Sequence, residues 1–425
     1  MNAMRSGVWW LNSQRWQRWL QRLRGEVLLV LLSRLVNAGA GLVFVVVTAR
    51  HLGPTGRGAI SLAFTIAWAA TNIANLGTFT SGRLRLLDPG NPVGPRDLLS
   101  LVLALLPFQA LLTVVAIGLI SLTDLELTLG FFLAMLALSL STMLFHSGVV
   151  LLYALRRYRV VLVSEAGIAL VQVIAIVGVY LGGRLTTTSA ILIMTAGSAV
   201  GGAWLVSQAG AFRGESNHGL TAYWRTLISE GLYPMLGDVA MFIAFRLDRI
   251  VLAVAAGASS LGLYVVALAI PETLRILPKA FCQVIADRGR SGLEPLAAIR
   301  RHSRRFLAGY FLILGAAAAV GWVLLPVVFS EGFRSARDVL VVVIVAEAIL
   351  SVHLLYQALL VGFSNPRAIG LPQVVGGFTT VVLTVVMIPR WGLHGAAAAC
   401  ASGYAVLAVT SGIWTNRELQ KADVR

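Results

Sequence analysis

Apolar runs of about twenty residues follow one another along almost the whole chain, separated by short polar stretches. A bilayer core about 30 Å thick needs roughly 20 apolar residues per helix, so these runs read as membrane-spanning helices. The pattern predicts twelve of them, near 27–48, 58–79, 98–121, 127–152, 161–181, 187–208, 227–255, 260–284, 306–328, 338–361, 368–388 and 394–415. The longest polar segments between them, 209–226 and 285–305, are too short to house a soluble domain. Ahead of the first span, Trp16, Trp19, Leu20 and Leu23 recur at helical spacing beside Arg15, Arg18 and Arg22. That pattern predicts a helix lying in the headgroup plane. A cleaved signal peptide fits less well, because the apolar run that follows is long and carries no small-residue cleavage site.

Two comparisons within the chain indicate an internal repeat. After the first span comes RHLGPTGRGAISLAF (50–64), with Gly53, Gly58 and Ala63 five apart. After the seventh comes AAGASSLGLYVVALA (255–269), with Gly257, Gly262 and Ala267 at the same spacing and an offset of 204 residues. The fifth span ends at Gly182-Gly183 and the eleventh at Trp391-Gly392, an offset near 208. Two matches at nearly one offset predict two six-helix halves, related by an axis along the membrane normal because each half has an even number of spans. The expected organisation is an amphipathic segment (1–25), a first lobe (26–212), a linker (213–225), a second lobe (226–416) and a tail (417–425). The expected fold class is therefore all-α, polytopic and pseudo-twofold.

Composition agrees with the pattern. Of 425 residues 58% are hydrophobic and 12% charged, with a mean hydropathy of +0.83, whereas a soluble protein carries about 25% charged residues. The net charge of +16 is carried by arginines in short loops, where attraction to anionic lipid headgroups explains it more simply than nucleic acid. With both termini cytoplasmic, the inside segments hold 23 of the 34 Lys+Arg and the outside loops six, the latter including Arg50 and Arg57. This bias predicts a multi-pass protein of the cytoplasmic (inner) membrane. Its strongest inside marker is R-R-H-S-R-R at 300–305. Neither lysine, Lys279 or Lys421, follows a G-x-x-x-x-G, so there is no Walker A loop. Cys282 and Cys400 offer no disulfide framework or metal spacing, and the six histidines form no catalytic pattern.

Five basic residues remain inside spans: Arg34, Arg246, Arg249, Arg275 and Lys279. A charge at the bilayer centre costs roughly 2.5–3.5 kcal/mol on insertion scales, so such groups face a wet interior or a partner. In the eighth span Glu272, Arg275 and Lys279 are spaced i, i+3, i+7 and share a helix face. They form either an anion site, with the arginine fork on phosphate, or an intrahelical Glu272–Arg275 pair. Pro271 and Pro278 predict a bend there. In the seventh span Arg246 and Arg249 are expected to meet the substrate, with Asp238 or Asp248 neutralising them when it is empty. The alternative is snorkelling to an interface, and Arg34 in the first span has the same two readings. Thr65, Trp68, Asn72 and Asn75 make a polar-aromatic stripe that suits sugar hydroxyls and ring stacking, or helix–helix hydrogen bonding. Asp238 and Glu347 are isolated acids that suit either coupling to H+ or Na+ or a structural hydrogen bond. No other cofactor is expected.

The G-P-x-G-x-G turn after the first span, the D-R-I-V-L-A…L-G-L-Y-x-x-A-L segment (248–268) and the ending I-P-R-W-G-L-H-G-A-A-A-A (388–399) resemble polysaccharide-biosynthesis flippases. These are the O-antigen and lipid-linked-oligosaccharide translocases of the multidrug/oligosaccharidyl-lipid/polysaccharide exporter superfamily. The resemblance implies two six-helix bundles across a V-shaped cavity, moving a polyprenyl-diphosphate-linked glycan to the outer leaflet by alternating access. It matches Arg34 to a basic residue of the family's first span and Asp248 to an acid late in the seventh. Glu272 and Arg275 match, by type of residue, charges in the eighth span of the peptidoglycan-precursor branch. Implied partners are the lipid-linked glycan, anionic lipids and polymerase or glycosyltransferase machinery. An ion-coupled drug extruder is the alternative transporter, but the buried basic residues argue for an anionic substrate. An enzyme such as a polytopic glycosyltransferase or ligase would need an acidic catalytic motif and a substantial external loop, and the outside loops here are short.

Overall fold

A computed structural model describes the backbone of residues 7–87, 93–120, 128–212, 221, 223–290, 296–362 and 366–423. Within these, the side chains of 7–31, 34, 119–120, 244, 287–290, 296–298, 300, 361–362, 366–369 and 422–423 are not described. Apart from one 3-10 turn, Glu331–Phe333, the regular elements are α-helices: α1 (Gly7–Ala74), α2 (Thr78–Leu87), α3 (Pro95–Ile120), α4 (Leu129–Ala154), α5 (Tyr158–Leu181), α6 (Thr187–Gln208), α7 (Trp224–Leu274), α8 (Ile276–Arg290), α9 (Leu296–Phe329), α10 (Ala336–Gly362) and α11 (Pro366–Asp423). Nine helical stretches among the described residues are long and apolar enough to cross a membrane. Three of these, of 40, 42 and 52 residues, are about twice the length needed, and each is broken partway, at Gly53, Gly257 or Gly392. Counted on either side of those breaks, the nine stretches contain the twelve crossings that hydropathy predicts.

The structure corrects the sequence reading at four places. The segment 7–25 is helical but continues into the first span, since Gly53 is the only non-helical residue inside α1. A separate helix in the headgroup plane is therefore not formed. The second span stops at Ala74, where the Asn75 side chain caps the turn by accepting from Gly77 N at 2.8 Å. After the turn at 75–77 comes α2, Thr78–Leu87, of which 80–87 are expected to be loop. The eighth span is divided between α7 and α8 at Arg275, four residues after Pro271, with helical bonding carried across by Arg275 N to Pro271 O and Lys279 N to Arg275 O. The R-R-H-S-R-R run lies on the first turns of α9, not in a loop. The expected linker 213–225 falls mostly outside the described residues.

The repeat is written in the backbone. Gly53 adopts φ 66, ψ −172 and Gly257 adopts φ 79, ψ 167, a region open essentially to glycine alone. Gly183 and Gly392 also share positive φ, at 68 and 52. Beyond the first pair of breaks, the two hairpins cross each other reciprocally. Gly58 lies against the carbonyl of Ala258, and Gly262 lies against the carbonyl of Pro54. The 204-residue offset exchanges the two contacts, Gly58 with Gly262 and Pro54 with Ala258, so the crossing sits on the pseudo-twofold axis, and a Cβ at either glycine would overlap backbone.

Lipid tails are as apolar as leucine, so close packing and small residues hold such helices together. In the first half α1, α4, α5 and α6 pack around Ile60, Leu62, Met135, Leu138, Ile176 and Ile191. Gly148 of α4 fits against Leu205 and Val206 of α6, and Gly202 of α6 against Phe145 of α4. In the second half α7, α9, α10 and α11 pack around Tyr264, Leu268, Tyr310, Phe333 and Leu340. Ala253, Leu261 and Val265 join the first core and Ala49 joins the second, so the halves interlock at their hairpins.

Candidate functional site

A cavity of about 820 Å³ lies between the halves and is lined by α1 and α7, with Ile276 of α8. Its walls follow the repeat. Asn37 and Met241, Gly41 and Phe245, Leu42 and Arg246, and Val45 and Arg249 line it as equivalent positions on the first and seventh crossings. On the second and eighth crossings Ser61 and Val265, Thr65 and Ala269, Trp68 and Glu272, and Asn72 and Ile276 do the same. Each pair differs by 204, so the cavity encloses the pseudo-twofold axis below the glycine crossing.

The two walls differ chemically. The second repeat contributes Asp238, Arg246, Arg249 and Glu272, and the first contributes one charge, Arg57, among hydroxyls, amides and Trp68. Arg249 Nη2 donates to Glu272 Oε1 at 2.6 Å, and Arg246 Nη1 stands 3.4 Å from the same oxygen. Asp248 is fixed beside them: its Oδ2 accepts from the Tyr264 hydroxyl at 2.7 Å and its Oδ1 from Arg249 N at 2.9 Å. Arg57 is only 6% exposed, its guanidinium 5.9 Å from the Phe44 ring centroid. Its Nε and Nη1 have no hydrogen-bond partner, and neither does Nε of Arg249. An uncompensated buried charge costs several kcal/mol, so these donors mark where an anion is best accommodated.

The predicted residues fall into three groups. Trp68, Asn72, Asp238, Arg246, Arg249 and Glu272 line the cavity. Asp248, Arg275, Lys279 and Glu347 do not. Arg34 lies on α1, and its side chain is outside the described residues. Glu272, Arg275 and Lys279 do not form the expected joint site, because Glu272 pairs with Arg246 and Arg249 and not with Arg275. That side chain instead turns to α10, where its Nε and Nη2 fork onto Glu347 at 2.7–3.0 Å. Glu347, fully buried, is thus a paired acid and not an isolated one. Lys279 is exposed on α8. The arginines of the seventh crossing pair with Glu272, with Asp248 beside them, and not with Asp238, which has no ion pair among the described residues.

The polar stripe divides as well. Trp68 meets His146 edge to face, ring centroids 4.6 Å apart, with 44% of its surface exposed. Asn72 Nδ2 donates to the Trp68 carbonyl at 2.8 Å. Asn75 is consumed by its turn and lies off the cavity. Arg57 is the residue sequence reasoning missed, having been assigned to an outside loop. The repeat contained the signal: its equivalent, Leu261, falls within the predicted eighth span, at its start. A second buried polar cluster sits in the first half, where Gln109 Nε2 lies 2.9 Å from Thr71 Oγ1 and 2.6 Å from the Ser139 carbonyl. No group of His, Cys, Asp and Glu able to hold a metal occurs among the described residues.

No family model and no curated protein matches the sequence. Among solved structures, the chain is similar to an inward-facing multidrug resistance MATE family transporter of the MOP superfamily, with TM-score 0.64 and 13% identity over 93% of this chain and 98% of that one. It is similar to the lipid II flippase MurJ in an inward closed conformation, with TM-score 0.64 and 10% identity over 91% and 86%. A MOP superfamily transporter from Pyrococcus furiosus, whose binding pocket of reverse polarity suggests a different function, matches with TM-score 0.56 and 13% identity over 93% and 95%. At these identities the likeness is one of fold. The chain has the polytopic helical fold of MOP superfamily transporters.

Proposed function

We propose that the protein is a flippase that carries a polyprenyl-diphosphate-linked glycan, a cell-surface polysaccharide precursor, from the cytoplasmic to the outer leaflet of the inner membrane. One observation carries this reading: Arg57 is buried at the cavity with donors unpartnered, next to a pair of arginines that share one carboxylate. A diphosphate supplies the missing charge and accepts from several guanidinium N–H groups at once. The opposite wall, with Asn37, Ser61, Thr65, Trp68 and Asn72, suits glycan hydroxyls and a stacked sugar ring. Rocking of the halves about the axis between them would expose the cavity to one leaflet and then the other. The protein acts without forming covalent intermediates, and Asp238 is the cavity acid available to a coupling H+ or Na+.

The multidrug transporters of this fold raise the second reading, extrusion of an organic cation. The lining favours the first, because three arginines outnumber two acids there. Reconstitution in vesicles decides between them. A fluorescent polyprenyl-diphosphate sugar should cross leaflets in vesicles containing the protein, and Arg57→Ala should slow it at unchanged protein level. Transport of ethidium with no transfer of the lipid-linked sugar would reject the flippase reading.

A further inference from the structure

We infer that Glu272 is a resident counter-anion: its carboxylate occupies the arginine site while the cavity is empty and is displaced from Arg249 when a phosphate binds. The inference rests on the reading of the cavity as an anion site and adds how that site is regulated. Its basis is the geometry of the only cavity carboxylate in ion-pair contact with the arginines among the described residues. Glu272 Oε1 takes the Arg249 Nη2 donor at 2.6 Å, while the side chain remains 28% exposed to the cavity. Arg249 itself is 9% exposed and has Nε free. A phosphate approaching its fork meets the Nη2 donor already occupied. The same oxygen stands 3.4 Å from Arg246, which is 39% exposed, so a carboxylate leaving Arg249 keeps a cation beside it.

The other acids cannot play this part. Asp248 is held by Tyr264 and by the Arg249 amide and does not line the cavity. Glu347 is committed to Arg275. Asp238 lines the cavity without an arginine partner. Glu272 also follows Pro271, which donates no helical hydrogen bond, and lies three residues before the junction of α7 and α8 at Arg275. In this arrangement the protein carries its own competitor, which keeps Arg249 and Arg246 compensated between cycles and helps expel the bound phosphate.

The test is binding of farnesyl diphosphate, with neutral farnesol as background, to the full chain in lipid nanodiscs, read by quenching of tryptophan fluorescence from the cavity. Removing a charge-assisted competitor in Glu272→Gln should tighten binding about tenfold relative to wild type. Asp238→Asn removes the same charge from the same cavity without freeing Arg249, and should change affinity by about twofold or less. Equal or weaker binding by Glu272→Gln, with wild type binding normally, would overturn the inference. So would an equal gain in Asp238→Asn, which would reduce the effect to net charge. If Glu272→Gln does not fold, Glu272→Asp is measured instead: its shorter reach should give roughly a threefold gain, and unchanged or weaker binding overturns the inference. Failure of wild type to bind farnesyl diphosphate above the farnesol background would reject the anion site itself.

Discussion

Val45 and Arg249 are equivalent positions of the two repeats, as are Leu42 and Arg246, and all four line the cavity. The backbone that carries them turns through nearly identical dihedral angles at Gly53 and Gly257. Yet opposite Arg246, Arg249 and Glu272 the first repeat has Leu42, Val45 and Trp68, and its wall carries a single charge, Arg57, among amides and hydroxyls. The same division extends away from the cavity. The first half buries a neutral cluster of Gln109, Thr71, Thr113 and Ser139, and the second buries the Arg275–Glu347 pair and the Asp248–Tyr264 bond. Duplicated architecture has here been filled with two kinds of polar chemistry. A substrate with a charged end and a hydroxyl-rich end finds a matching wall for each.

The comparison can be broken in several ways. Charge reversal in Arg249→Glu should lower leaflet transfer of a lipid-linked sugar roughly 100-fold, the loss of about 3 kcal/mol of charge-assisted contact. Vesicle assays at matched protein level measure it, and transfer near wild type would remove the charged wall from function. Next in size, Glu347→Ala should destabilise the protein by about 3–5 kcal/mol by stranding the Arg275 charge. Gln109→Leu in the neutral cluster should cost about 1–3 kcal/mol. Denaturation in detergent should separate the two, and the double variant Arg275→Met with Glu347→Leu should recover most of the larger loss. Gly53→Ala and Gly257→Ala should cost about 1–3 kcal/mol each, and by similar amounts, because their backbones match. A large inequality would mean the repeats are not equivalent there. Smallest, Asn72→Ala should slow transfer of a sugar-bearing lipid about threefold while leaving a sugar-free polyprenyl diphosphate unaffected.

Much of the fold could be read from hydropathy, because a bilayer enforces helix length. The small-residue spacings at 53–63 and 257–267 located the repeat, since only glycine serves at those turns. Contacts across the hairpin were beyond reach. Glu272 pairs back to Arg246 and Arg249 across a turn, and Arg275 pairs 72 residues ahead with Glu347, while periodicity along one helix reports only neighbours on that helix. Arg57 was lost for a different reason. It follows a Gly-Pro-Thr-Gly stretch that reads as loop, although the helix has already restarted at Pro54. The ten residues of α2 bury Thr78, Ser81 and Gly82, small and polar residues that do not mark a packed helix face in the hydropathy pattern.

The crossing of Gly58 over Gly262 has a mechanical consequence. Two backbones meeting without intervening side chains form a fulcrum with little slack. From Gly58 to the far end of the second crossing at Ala74, the helix is roughly 24 Å long at 1.5 Å per residue. A tilt of about 10° about the fulcrum therefore swings that end by roughly 4 Å over this lever. There Gly77 lies against Gly231, and Arg85 clasps Glu230. A small rotation at one rim thus becomes a separation wide enough to undo a latch at the other.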